Sequence, residues 1–140
     1  MGTRADFYVG LGKDAEWTGS IAWDGHDDTL RKESESARIF TATTEQDWRE
    51  AVSQFLAPRE NATAVEQGWP WPWNASTTTD CAYCFNGERT HVFYFGRPVI
   101  DGDSEEQAEA RPEAEFPDMS ARKKVTFGKR SGLLILGGPS

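Results

Sequence analysis

The sequence predicts an α+β fold, a single domain spanning residues 1–140 in which an antiparallel β-sheet carries one main amphipathic helix on one face. Three observations lead there. Short aromatic and β-branched stretches bounded by turn residues lie at both ends of the chain; one segment between them has helical apolar spacing; and a length of 140 residues suits one hydrophobic core.

The first predicted strand is Asp6-Phe7-Tyr8-Val9-Gly10, closed by Gly10 and Gly12. The second runs from Trp17 to Asp24. Its odd positions are Trp17, Gly19, Ile21 and Trp23, and its even ones Thr18, Ser20, Ala22 and Asp24, so the tryptophan face is expected on the core. From Thr29 to Ala37 the chain is polar without a clear period, which reads as a loop or weak surface helix.

The main helix is expected from about Thr44 to Ala57. Thr44 with Asp47 three residues on approximates a capping box, and Trp48, Val52, Phe55 and Leu56 recur at i, i+4, i+7 and i+8. Pro58 ends it, and 59–67 reads as a polar connection.

Gly68-Trp69-Pro70-Trp71-Pro72-Trp73 concentrates three of the six tryptophans. Each proline fixes its own φ and holds the residue before it extended, so the segment reads as a stiff strap whose indoles close the core, with Trp71 as a possible surface contact. Next comes a hairpin from Asp80 to Phe95, turning at Asn86-Gly87, which sets Phe85 opposite Glu88, Cys84 opposite Arg89 and Ala82 opposite His91. Tyr83, Phe85, Val92 and Tyr94 then share one face and Phe93 and Phe95 the other, the pattern of a strand covered on both sides. A last hairpin is expected from Val125-Thr126-Phe127 through a glycine-bearing loop to Leu133-Leu134-Ile135-Leu136.

Net charge narrows the function classes. At −8, the chain lacks the clustered lysine and arginine that bind a phosphate backbone. No charged-then-apolar leader opens it and no apolar run approaches the roughly 20 residues of a membrane span, so we expect a cytosolic protein without a membrane segment. Seven carboxylates fall in 101–115 against the single base Arg111. This stretch reads as a solvated loop or short exposed helix able to meet a basic partner, with Asp101, Asp103, Glu105, Glu106 and Glu109 as its contact residues.

Three constellations could carry chemistry. Cys81 and Cys84 have the spacing of a zinc knuckle, but i and i+3 on a strand point to opposite faces, so they read as two buried thiols. Asp24, His26, Asp27 and Asp28 are the densest group of acid, base or metal-binding side chains, on a segment that also has the composition of an ordinary turn. No Gly-x-Ser-x-Gly elbow, Walker motif or complete dinucleotide fingerprint is present. We therefore expect no cofactor and no catalytic residue.

Ala5-Asp6-Phe7-Tyr8-Val9-Gly10, Ser20-Ile21-Ala22-Trp23-Asp24-Gly25, Gly68 to Trp73 and Phe116-Pro117-Asp118-Met119 together resemble a group of small bacterial and phage proteins for which no activity is known. The resemblance implies a protein that binds and blocks host machinery, such as an anti-CRISPR-like inhibitor covering the basic nucleic-acid-binding surface of a host defence complex. The alternatives are a small metal-dependent hydrolase or nuclease-like enzyme using Asp24, His26, Asp27 and Asp28, and a structural or virion-associated protein.

Overall fold

The structure, a computed structural model, describes residues 2–100 and 104–122. The expected hairpin at 125–136 lies outside the described residues, as do Asp101 and Asp103. Six strands form one sheet: β1 (Ala5–Val9), β2 (Glu16–Ile21), β3 (Ala62–Thr63), β4 (Cys81–Phe85), β5 (Thr90–Tyr94) and β6 (Arg97–Val99), in the order β3-β2-β1-β4-β5-β6. All neighbours are antiparallel except the central pair, β1 and β4. A parallel pair needs a long crossover. Here the crossover holds α1 (Asp27–Lys32), α2 (Ser34–Thr41) and α3 (Glu45–Leu56), followed by β3 and the Trp-Pro strap.

The expected main helix is α3. Thr44 caps it, its hydroxyl accepting the Asp47 N–H at 3.2 Å, and Trp48, Ala51, Val52, Phe55 and Leu56 are buried on the sheet. It has company, because the stretch Thr29 to Ala37, expected as a loop or weak surface helix, is mostly helical. Its apolar anchors are sparse, Leu30 in α1 and Ile39 in α2, yet both are fully buried, and Ser36 Oγ donates to the Leu30 carbonyl at 2.6 Å across the joint. Tertiary packing overrides the weak local signal here.

The alternation in β2 breaks where the sequence shows no break. Phe7 pairs with Gly19 and Tyr8 with Trp17, so Thr18 is an extra residue, and its hydroxyl donates to the Phe7 carbonyl at 2.9 Å. Such a bulge reverses the phase of the side chains beyond it. Trp17 therefore joins Tyr8 on one face while Ile21 joins Ala5 and Phe7 on the other. Glycine suits the bulge, because Gly19 has φ +147°, a conformation that residues with a side chain rarely adopt. Trp23, expected on the core, lies two residues past the strand end and is 49% exposed.

The β4–β5 hairpin closes across Asn86 and Arg89 (N–H to carbonyl, 3.1 Å), with Gly87 and Glu88 at its tip. Phe85 therefore faces Thr90, and Cys84 faces His91. The expected register is displaced by two residues, which preserves the faces: Tyr83, Phe85 and Val92 pack towards the helices, Ala82, Cys84 and Phe93 towards the strap. The displacement follows from Asn86, whose Oδ1 accepts the N–H groups of Glu88 and Arg89 at 2.8 and 2.9 Å and so occupies the corner instead of the tip.

The second face is covered by the strap and by residues 114–119. Trp69 is fully buried edge-on against Trp17, its indole donating to the Trp73 carbonyl at 2.6 Å, and Phe116 and Met119 pack beside it. Under the strap lies Asp6, fully buried in central strand β1. Its Oδ1 accepts from Ser20 Oγ at 2.6 Å and Trp71 Nε1 at 2.7 Å, and its Oδ2 from Ser76 Oγ at 2.6 Å. Tyr8 bonds Ser76 at 2.8 Å, and Trp17 Nε1 donates to Ser20 Oγ at 3.0 Å.

Burial raises the Asp6 carboxyl above the ordinary carboxylate range, against the lowering effect of bonds from Ser20, Ser76, Thr79 and Trp71. A group raised on folding contributes stability below its unfolded pKa and loses it as pH rises through the folded value. Relative to Asp6→Asn, the wild-type protein should therefore lose melting temperature as pH rises above the ordinary carboxylate pKa of about 4. A difference independent of pH in paired thermal scans would contradict this assignment.

Candidate functional site

β1 and β4 begin, and β2 and β5 finish, at the same end of the sheet, since Ala5 pairs with both Ile21 and Cys81, and Cys81 pairs with Tyr94. Loops from this end bring together parts of the chain far apart in sequence. His26 Nδ1 accepts the Asp28 N–H at 3.2 Å and caps α1. Asp27 follows; its Oδ1 accepts the Tyr94 hydroxyl at 2.6 Å and its Oδ2 lies 3.4 Å from Arg31 Nε. The turn before them is held by Tyr83, whose hydroxyl donates to the Gly25 carbonyl. Burial, then the bond to Asp27, pushes the Tyr94 phenol well above its usual range, so it stays a neutral donor.

On the other side of Ala5, Asp80 Oδ2 accepts the Arg4 backbone N–H at 2.9 Å and faces its guanidinium at 3.3 Å. Arg4 in turn lies over Trp73 and Trp71, at 5.3 and 5.9 Å from the ring centroids. The two indoles stack at 5.6 Å. Trp71 is thus half-buried, clamped between Asp6 below and Arg4 beside it, and works mainly as a structural strut. No family model, curated protein or solved structure matches this chain.

The sequence-predicted site residues fall into three groups. His26, Asp27 and Asp28 converge, with one potential ligand atom from each within 4.8 Å of the others, and Asp24 stands outside that cluster. Cys81 and Cys84 are buried on opposite faces of β4, so they do not share a ligand. In the acidic stretch, 105–109 form a short helix, α4 (Glu105–Glu109), one of the two forms expected for it. Ser104 and Gln107 supply its capping box and Ala108 is fully buried, which is why so polar a segment is ordered. Glu106 and Glu109 are exposed on it.

α4 packs along β5 and β6 and carries Glu109 to the sheet end, where a recess of about 130 Å³ opens between Thr3, His26, Asp80, Tyr94, Phe95 and Glu109. Tyr94, Phe95 and Asp80 were not singled out from sequence. The available signal was Phe95-Gly96, which joins β5 to β6 as a two-residue hairpin with φ of +47° and +80°. A type I′ turn requires positive φ at both positions and favours Asn, Asp or Gly, so a phenylalanine there is a steric outlier. Its ring is nevertheless 42% exposed. Phe95 thus combines a strained backbone with a place in the lining of the recess.

Phe95→Asn should keep the fold and raise stability by about 1 kcal/mol as the strain is relieved. Chemical denaturation would measure this; a loss of similar size would show that the ring is chiefly a packing residue.

Proposed function

We propose that the chain is a non-enzymatic protein-binding module that takes a basic surface of its partner on this end of the sheet. The observation that carries the reading is the gathering of Asp27, Asp28, Asp80 and Glu109 around this end, beside Arg4, Arg31 and Arg97, with exposed Trp23 and Phe95 at the same end. Charge of one sign steers a basic partner in, and aromatic side chains anchor it with little loss of rotamer freedom. Compared with the expectation from sequence, the contact surface shifts from the acidic stretch as a whole to the place where its Glu109 meets the sheet.

A basic groove that otherwise holds nucleic acid is the partner surface that suits such a face. A phage-encoded inhibitor of a host defence nucleoprotein complex is the biological form this reading takes, drawn from the sequence-level resemblance. No helix among the described residues is long and apolar enough to cross a membrane, in keeping with a protein partner in water.

The spacing of His26, Asp27 and Asp28 favours a second reading, a metal-assisted hydrolase. It is the weaker one, because Tyr94 and Arg31 already engage both oxygens of Asp27 and the Asp28 N–H engages His26 Nδ1. Divalent-metal titration separates the two: metal binding lost in Asp28→Asn would favour the hydrolase.

Asp28→Lys combined with Glu109→Lys should weaken binding of a deca-arginine peptide about tenfold, roughly 1.4 kcal/mol, and flatten its salt dependence, with the melting temperature little changed. Fluorescence anisotropy would read this. Equal weakening by Glu50→Lys, an exposed charge on α3, would show a diffuse charge effect and sink the site.

A further inference from the structure

The recess has a chemistry more specific than the acidic face around it. His26 and Tyr94, with ring centroids 5.5 Å apart, line it together with the partly exposed Phe95. Its carboxylates are unequal. Asp80 is already paired with Arg4, whereas Glu109 has no cation partner among the described residues. The recess has a volume of about 130 Å³ and is open to solvent on one side. A guanidinium with its adjoining methylenes fits such a space.

Aromatic faces and one uncommitted carboxylate are what a planar, weakly hydrated cation requires: rings to stack on and two oxygens for its paired N–H donors. An ammonium would satisfy the charge and leave the rings largely unused. The strain at Phe95 fits the same assignment, because Asn or Gly would make the turn at lower cost but provide no ring.

We infer that this recess receives the guanidinium of one arginine of the partner protein, with Glu109 as its counter-charge and Tyr94 and Phe95 as its aromatic walls. The inference rests on the binding reading above and supplies its anchor: the acidic face draws the partner in, and the recess fixes its register. Glu109 then differs in kind from Glu106 on the same helix, one serving an arginine directly and the other contributing only to the field.

The test uses the full chain, labelled with ¹⁵N, titrated with N-acetyl-arginine amide, with its uncharged isostere N-acetyl-citrulline amide, and with the deca-arginine peptide. The arginine probe should cause saturable shifts at the amides of Tyr94, Phe95, Gly96 and Glu109, with a dissociation constant on the order of millimolar. Citrulline should leave them unmoved. Glu109→Gln should weaken the response at least threefold while Glu106→Gln does not, and each variant's own spectrum reports whether it is folded.

Equal shifts with citrulline would overturn the charge assignment. If deca-arginine perturbs the acidic end but the arginine probe moves none of the four amides, the recess is excluded and the broader binding reading stands. If deca-arginine itself leaves the protein unperturbed, both fail.

Discussion

The structure depends on a carboxylate placed where water cannot reach it. Asp6 sits in the central strand of the sheet, and burying its charge is unfavourable unless donors replace the lost water. Ser20 from β2, Trp71 from the strap and Ser76 just beyond it supply them. The requirement works in both directions: the carboxylate needs the strap to be closed, and the strap, with few backbone bonds of its own, needs the carboxylate to hold it in place. The tryptophans fill space, while Asp6 fixes where the Trp71 indole N–H points. Removing one partner from such a network leaves the others buried and unsatisfied, which is why its members act together.

This closure reaches the candidate site through a short path. Trp71 bonds Asp6 on one side and stacks on Trp73; Arg4 lies over both rings and bonds Asp80, at the rim of the recess. The helix layer enters from the opposite face, where Asp27 at the start of α1 takes the Tyr94 hydroxyl. The recess is thus held by both layers of the protein, which gives an otherwise small surface feature a defined shape.

Some of this was legible in the sequence. Period and capping signals are local, so α3, its Thr44 cap and the two-faced aromatic pattern of β4 and β5 could be read directly. Features that depend on distant partners could not. Thr18 looks like any other strand residue until β1 is laid beside it, and the phase reversal it causes carries Trp17 to the strap side and lets Trp23 run past the strand end. Leu30 and Ile39 are too sparse to announce helices, and only the sheet beneath them makes them anchors. The site was half visible: His26, Asp27 and Asp28 adjoin in sequence, but Asp80, Tyr94, Phe95 and Glu109 join them only through the hairpin geometry and the docking of α4.

The claim that the carboxylate and the strap hold each other is tested most directly by a double-mutant cycle on Asp6→Asn and Trp71→Phe, with stability measured by denaturant unfolding at neutral pH. Phe keeps an aromatic ring at position 71 and removes the indole donor. The account predicts a coupling energy of about 1 kcal/mol or more between the two sites. Additive effects, within roughly 0.3 kcal/mol, would contradict it and reduce Asp6 to a buried polar residue that the strap merely covers.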